Sequence, residues 1–189
     1  MDGKYKISNP EGIYFISFAT VGWVDVFTRK NYRDIVVDSL NFCVEKKELI
    51  LYGWVIMSNH LHLVCKAKQG NLSAILRDFK AHTAKAILNE IKANPESRKE
   101  WMLAIFKTAG AHSTKNKEYQ FWRHDNHPVE VFTNQVIDQK LEYLHNNPVK
   151  AGIVNKAEDY VYSSAMDYCG IKGLIKIELM EDSGFEVVK

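Results

Sequence analysis

Residues 49–66 read LILYGWVIMSNHLHLVCK. Two stretches of this run, 49–57 and 61–66, are rich in β-branched and aromatic residues, a composition that predicts two strands. The polar residues Ser58 and Asn59 between them predict a turn, so the two strands are expected to form a hairpin. This hairpin is the part of the sequence around which the other predicted elements are arranged.

The remaining pattern alternates between strands and helices. The elements predicted outside the hairpin are, in chain order, a strand at 12–20, helices at 31–47, 71–93 and 98–107, a strand at 118–123 and a helix at 133–146. Asn147 and Pro148 are expected to halt the last helix. This order predicts an α+β, ferredoxin-like sandwich in which helices cover one face of an antiparallel sheet. We predict one main domain at 1–168 and a C-terminal extension at 169–189.

Composition narrows the class of protein. The 189 residues are 46% hydrophobic, enough for a core, yet no apolar run approaches the roughly 18 residues of a membrane span. The N-terminus lacks the apolar region of a secretory signal, and three widely spaced cysteines indicate neither a disulfide framework nor a zinc ribbon. We therefore predict a cytoplasmic protein without a membrane partner.

Charge is unevenly distributed along the chain. The net charge is only +2, but residues 66–123 contain twelve Lys or Arg and five Asp or Glu. Such a basic block is typical of a phosphate-binding face, although proteins that bind no polyanion also carry one.

The second strand of the hairpin contains two histidines separated by one residue. Strand side chains alternate between faces, so His60 and His62 point the same way while Leu61 and Leu63 point into the core. Two neutral imidazoles at this spacing can share a divalent ion, but they are also compatible with two solvated histidines on an open sheet face. A third alternating histidine, which would supply a nucleophile, is excluded because that position is Val64.

The last predicted helix contains a second candidate pair. Tyr143 and Asn147 are four residues apart and therefore share one helix face. A phenol can act as a nucleophile, and an amide oxygen can bind the metal ion that favours the phenolate. The alternative is a core tyrosine followed by an asparagine that ends the helix before proline.

Three segments resemble a known family. MSNHLHLV at 57–64 resembles the HUH motif of single-tyrosine transposases of the insertion-sequence 200/605 class. YLHNNPVKAGIV at 143–154 is similar to the tyrosine helix of their REP-associated relatives, and YQFWRH at 119–124 is similar to the strand before that helix. Three departures are visible: Ser58 stands where proline is common, Asn147 stands where the insertion-sequence enzymes have glutamine, and the region 95–117 is longer than in compact relatives.

The resemblance implies a specific chemistry. His60, His62 and Asn147 would bind Mg²⁺ or Mn²⁺, and Tyr143 would attack single-stranded DNA at hairpin-flanked sites to form a 5′-phosphotyrosine intermediate. Such a transposase works as a monomer or a homodimer. The alternatives are a module of the same fold that binds a DNA or RNA hairpin without cleaving it, and a phosphodiesterase that uses water.

Part of the basic block is expected to bind the DNA. Lysines and arginines would hold phosphates, and an aromatic side chain would stack on unpaired bases, unless these residues are ordinary surface lysines and core aromatics. The residues predicted to contact DNA are Arg77, Lys80, Lys85, Lys115, Lys117, Trp122 and Arg123.

Overall fold

The computed structural model describes residues 7–113, 118–124 and 126–180. The strands are β1 (Tyr14–Ala19), β2 (Leu49–Ile56), β3 (His60–Ala67) and β4 (Val129–Glu130). The helices are α1 (Lys30–Lys46), α2 (Leu72–Ala93), α3 (Lys99–Ala111), α4 (Asn134–Lys150) and α5 (Ala165–Tyr168), with 3-10 turns at Val21–Trp23, Val26–Thr28 and Ala157–Asp159.

The described strands form an antiparallel sheet in the order β2-β3-β1-β4. The predicted hairpin is confirmed: β2 pairs with β3, and the Met57 amide donates to the His60 carbonyl at 2.8 Å across the turn. β1 inserts on the other side of β3, with Ser17 opposite His62 and Ala19 opposite His60. This register brings the N-terminal strand beside the histidines.

The two faces of the sheet are covered by different helices. On one face α1 and α2 pack on the apolar side chains, as the contact between Phe18 and Phe79 illustrates. α4 lies on the opposite face, where a Cβ on Gly53 would meet the Leu141 and Leu144 side chains. The predicted α+β sandwich is confirmed. Helices α1 and α2 cover one face of the sheet, as predicted. Helix α4, which carries Tyr143, lies instead on the other face, together with the histidines.

The strand predicted at 118–123 is not observed. The segment is irregular apart from a single bridge between Thr20 and Trp122, and the fourth strand is the later pair Val129–Glu130. Phe121 and Trp122 are buried, and Trp122 Nε1 donates to Thr83 Oγ1 at 3.0 Å. The aromatic run therefore reflects core packing and not a ladder of strand hydrogen bonds.

The predicted end of α4 before Asn147 is also wrong. The helix continues to Lys150 with Pro148 in its last turn, and the Ala151 amide donates to the Asn147 carbonyl at 2.9 Å. Pro148 has no backbone N–H and so removes one helical hydrogen bond, but the helix ends only two residues later. Asn147 is therefore helical and lies one turn after Tyr143.

Irregular chain covers the outer strand β2 and the part of β1 that β4 does not pair with. Along β2, the Ile56 amide donates to the Tyr162 carbonyl at 3.0 Å, and the Glu178 amide donates to the Leu51 carbonyl at 2.9 Å. Along β1, the Ser17 amide donates to the Asn126 carbonyl at 3.0 Å. The described part of the C-terminal extension thus packs on the same body, with Ile175 in its core, and the boundary at residue 168 stays a prediction.

Within the described ranges, no helix is both long and apolar enough to cross a membrane.

Candidate active site

The histidine pair lies on the sheet face that α4 covers. The ring centroids of His60 and His62 are 4.9 Å apart, and the intervening Leu61 and the following Leu63 are fully buried on the other face. The alternation predicted from the sequence is therefore confirmed. His62 is buried and His60 is half-buried, so the pair is not a solvated surface feature.

Ser17 on β1 orients His62. Its Oγ lies 2.7 Å from His62 Nδ1, a short hydrogen bond across the register of β1 and β3. The other ring nitrogen, Nε2, is buried and has no hydrogen-bond partner among the residues that the structure describes. A buried polar atom without a partner is costly, which makes Nε2 a candidate for binding a ligand.

Asn59 performs the same task for His60. Asn59 Nδ2 donates to the Trp23 carbonyl at 3.2 Å, which leaves Oδ1 as the acceptor facing His60 Nδ1 at 2.6 Å. An amide oxygen only accepts, so Nδ1 of His60 carries the proton and Nε2 carries the lone pair. Metal-binding histidines are commonly held by this kind of outer hydrogen bond.

Both histidines are kept neutral. Burial, with smaller effects of the charges on His60 and Lys140, lowers the pKa of His62 to about 3, and burial lowers the pKa of His60 as well. Desolvation disfavours the imidazolium, so the pair is uncharged at neutral pH. A neutral imidazole is the form that binds a metal ion.

Tyr143 lies directly against this pair. Its ring centroid is 5.5 Å from that of His62 and 5.9 Å from that of Phe15, and 43% of the residue is exposed. The position of Tyr143 depends on the close approach of α4 to the sheet at Gly53. Because Gly53 has no side chain, Leu141 and Leu144 of α4 pack into the space that a larger residue there would fill. The phenol is thus held beside the histidines and is still accessible.

Two lysines flank the phenol. Lys150 Nζ lies 5.9 Å from the centroid of the Tyr143 ring, and Lys140 Nζ lies 4.9 Å from the centroid of the Phe15 ring that the tyrosine contacts. A cavity of about 180 Å³ opens beside Tyr143 and is lined in part by Lys150 and Asn146. Glu142 lines the same cavity, so the surroundings of the phenol are open and contain both a lysine and a carboxylate.

Asn147, predicted from the sequence as a third metal ligand, has a buried side-chain amide. Its Nδ2 is buried and lacks a hydrogen-bond partner within the described ranges, and rotating the amide by half a turn would place Oδ1 there. In the part of the chain that is described, no group of three His, Cys, Asp or Glu side chains could hold a metal ion. An ion at the histidines would therefore need an oxygen from another residue type or from its substrate.

Comparison with known proteins assigns the chain to a family. The sequence profile described as IS200-like transposase matches residues 16–120, more than half of the chain, including most of β1 and the whole histidine strand. The chain is a member of the IS200-like transposase family. No curated protein sequence matches this transposase significantly.

A solved structure shares the fold of this transposase. That structure, of a REP-associated tyrosine transposase bound to a REP hairpin, superposes with a TM-score of 0.60 at 13% identity and covers 100% of both chains. Its coverage includes α4, which lies outside the segment matched by the family profile. The antiparallel α+β architecture of the transposase is therefore that of this relative.

The residues predicted to contact DNA are not found at one place. Arg77 and Lys85 lie on α2, behind the sheet; Arg77 forms an ion pair with Asp78 at 3.1 Å. Lys85 lines a groove of about 700 Å³ between α1 and α2, on the opposite side of the sheet from the histidines. Lys115 and Lys117 lie outside the described residues.

The other three predicted DNA contacts lie together at the edge of β1. Lys80 Nζ donates to the Arg123 carbonyl and to Asn126 Oδ1, both at 2.6 Å, so its ammonium supports the chain there. Trp122 is only 4% exposed, and its prediction as a stacking residue is corrected, because its ring fills the core. Of these three, Arg123 is the one whose charge faces an exposed aromatic ring, that of Trp23.

Two residues near the histidines were not predicted from the sequence. Ser17 was missed because its role depends on the pairing of two distant strands. Trp23 was also missed, although the sequence contains a weak signal for it. The segment Val-Gly-Trp follows the first strand directly, and its glycine indicates a turn that would expose the tryptophan. Its ring centroid is 6.1 Å from that of His60.

Proposed function

We propose that this transposase is a metal-dependent enzyme that nicks and joins single-stranded DNA through Tyr143. The observation that carries the proposal is the contact between the Tyr143 phenol and His62, whose buried Nε2 lacks a partner in the described chain. A nucleophile beside a pair of neutral, pre-oriented imidazoles is the arrangement that metal-assisted phosphoryl transfer needs.

His60, His62 and Asn147 are the residues that would hold the ion, Mg²⁺ or Mn²⁺. The two ring nitrogens Nε2 fit this role because both Nδ1 atoms are engaged in outer hydrogen bonds with Asn59 Oδ1 and Ser17 Oγ. A divalent ion bound there would polarise the scissile phosphate and neutralise charge that develops on its oxygens.

The reaction proposed for Tyr143 is a transesterification. The phenol oxygen forms a bond to phosphorus, and the bond from phosphorus to the 3′-oxygen breaks. The phenol loses its proton, and the departing 3′-oxygen gains one. The products are a 5′-phosphotyrosine and a free 3′-hydroxyl. Attack by another 3′-hydroxyl on the phosphotyrosine reverses these bonds and joins DNA without an external energy source.

Lys140 and Lys150 would support the same step. Lys150 Nζ lies close to the Tyr143 ring, and Lys140 Nζ lies close to the Phe15 ring that Tyr143 contacts. A phosphodiester brought to the phenol would meet positive charge, which favours the anionic phosphate and the developing phenolate.

The proposed substrate is single-stranded DNA next to a hairpin, by analogy with the relative that is bound to a REP hairpin. His60, His62 and Tyr143 approach one another within one chain. This arrangement supports a site built by a single copy, so that a monomer suffices for cleavage, and a homodimer would contain two such sites.

The test is adduct formation with strands labelled at one end. Single-stranded oligonucleotides that carry hairpins from the flanks of the gene are incubated with Mg²⁺, Mn²⁺ or a chelator and run on a denaturing gel. A 3′-labelled strand should shift to the position of the protein, while a 5′-labelled strand should give a shorter free fragment, because only the 5′-phosphate becomes attached.

The variants separate the possible outcomes. Tyr143→Phe should abolish the adduct, and Tyr119→Phe, which alters a tyrosine packed against Lys92 away from the histidines, should not. Cleavage that persists in Tyr143→Phe would contradict the proposal in favour of a water-using nuclease. Binding without cleavage under every metal condition would favour a hairpin-binding module.

A further inference from the structure

Trp23 is an exposed aromatic residue at the edge of the histidine site. It ends the 3-10 turn after β1, 53% of the residue is exposed, and its ring lies edge-on to His60 with centroids 6.1 Å apart. Core packing does not explain a tryptophan there, because most of the side chain faces solvent. An exposed aromatic side chain beside a candidate active site indicates that it contacts a ligand.

The backbone of Trp23 is strained. Its φ is +54°, a left-handed conformation that is unfavourable for a bulky side chain, and it follows Gly22 at φ +64°. The Trp23 amide donates to the Thr20 carbonyl at 3.2 Å, and its carbonyl accepts from Asn59 Nδ2 at 3.2 Å. A glycine or an asparagine would adopt this conformation more easily, so the indole is retained at a cost to folding.

Arg123 supplies a cation to the same ring. Its guanidinium carbon lies 5.4 Å from the centroid of the Trp23 ring. The main chain of Arg123 is fixed, because its amide donates to the Ala19 carbonyl at 2.9 Å and its carbonyl accepts from Lys80 Nζ at 2.6 Å. A planar cation beside an exposed indole combines the two groups with which proteins hold a single-stranded nucleotide, one for the base and one for the phosphate.

We propose that Trp23 and Arg123 form a stacking site for an unpaired base of the DNA strand that enters the active site. The inference rests on the proposed function and extends it to how the strand is held. Four rings follow one another along this side of the molecule, Trp23, His60, His62 and Tyr143, with neighbouring centroids 6.1, 4.9 and 5.5 Å apart. A strand whose phosphate lies at Tyr143 passes Trp23 within a few nucleotides.

The first test compares binding with folding stability. The probe is a fluorescein-labelled single strand of about 12 nucleotides and mixed sequence, within the range that such grooves bind, measured by anisotropy in chelator with Tyr143→Phe as the parent so that no strand is cut. Trp23→Gly should weaken binding by about tenfold, the loss expected for one stacked base. Its thermal midpoint should equal or exceed that of the parent, because glycine relieves the strained φ.

Matched variants control for other causes. Phe42→Ala removes an aromatic residue of similar exposure, 54%, from α1 on the far side of the sheet and should leave binding unchanged. Trp23→Asn tolerates the left-handed conformation and should behave like Trp23→Gly, and Trp23→Phe should restore most of the affinity. Equal binding by the parent and both Trp23→Gly and Trp23→Asn would overturn the inference.

The second test locates the base. The probe is remade with one abasic position at a time; in the parent, one position should lower affinity by about tenfold, and in Trp23→Gly the same abasic position should have no further effect. An abasic pattern that is identical in the two proteins would overturn the inference.

The two proposals can fail separately. If the Tyr143 adduct forms in an otherwise wild-type protein but neither affinity nor the abasic pattern depends on Trp23, the stacking site is wrong and the proposed function stands. If affinity depends on Trp23 but no adduct forms with either metal ion, the stacking site stands and the nicking function is wrong. A parent that binds none of the probes contradicts the stacking site.

Discussion

At the scale of single residues, the candidate site is organised by groups that do not touch the substrate. Ser17 Oγ and Asn59 Oδ1 each lie within hydrogen-bond distance of an Nδ1 atom, and the Asn59 contact fixes the His60 tautomer whose Nε2 carries the lone pair. Such outer contacts typically change metal affinity by about 10- to 100-fold. Removing the Ser17 or Asn59 contact therefore tests how much metal affinity depends on the orientation of the histidine rings, because the histidines themselves are still present.

Ser17→Ala should weaken Mn²⁺ binding by about 10- to 100-fold, because His62 loses the contact that fixes its ring. Isothermal titration with Mn²⁺ measures this directly, without DNA. Ser17→Thr keeps the hydroxyl and should retain most of the affinity, while Ser39→Ala, which removes a serine bonded to the Ile35 carbonyl in α1, should change nothing. Unaltered Mn²⁺ affinity in Ser17→Ala would refute the orienting role.

Lys140→Gln and Lys150→Gln should each slow adduct formation by about 10- to 100-fold, a loss typical of removing one group that stabilises transition-state charge. Mn²⁺ affinity should not fall. Single-turnover kinetics with the 3′-labelled strand give the rate. Lys92→Gln is the matched control, since its ammonium lies 4.2 Å from the Tyr119 ring, another lysine–tyrosine contact; a similar slowing in that variant would point to a general effect of charge.

At the scale of elements, the distance between α4 and the sheet determines where the phenol lies. That distance depends on Gly53, because a Cβ there would collide with the Leu141 side chain and approach that of Leu144 at 3.3 Å. A small residue on β2 thus controls a nucleophile on a helix far along the chain.

Gly53→Ala should push α4 away from the sheet, destabilise the fold by about 1–3 kcal/mol and reduce adduct formation more than stability alone explains. Urea unfolding gives the free energy and the gel assay gives the activity. Leu141→Ala in the same chain removes the obstructing methyl groups and should recover part of both losses, a non-additive effect. Purely additive losses would show that the two residues do not interact.

Sequence patterns predicted local features well and distant pairings poorly. The alternation His60-Leu61-His62-Leu63 was sufficient to assign faces, because the side-chain period of a strand is fixed. The continuation of α4 past Pro148 was missed because the rule for proline applies to helix interiors. Ser17 beside His62 was missed because it follows from the register of β1 and β3, which local composition does not specify.

At the scale of the whole molecule, buried neutral histidines link stability to pH. Burial lowers the pKa of His145 to about 4, and its Nε2 lies 2.8 Å from Ser164 Oγ in the packing of α4 against the chain after it. The unfolded chain takes up a proton near pH 6.5 and the folded chain only near pH 4, so stability is complete above pH 6.5 and is lost as the pH falls towards 4.

His145→Gln should therefore lose less stability than the wild type between pH 6.5 and 4. The loss of unfolding free energy over this pH range should be smaller in His145→Gln than in the wild type by on the order of 3 kcal/mol, because each unit of pKa shift corresponds to about 1.4 kcal/mol. Urea unfolding at a series of pH values measures it, and comparison within the pair cancels the contribution of His62. Parallel curves for the two proteins would contradict a neutral, buried His145 in the folded state.

The irregular chain along the outer strands has a consequence for how the protein behaves in concentrated solution. Unpaired strand edges are templates for aggregation and for fibre growth, and proteins protect them with covering segments. Here the amides of Ser17 and Ile56 are bonded to loop carbonyls, and the Leu51 carbonyl accepts from Glu178. Since these groups are engaged, two copies that meet on a shared substrate are not expected to join edge to edge through β2 into one continuous sheet.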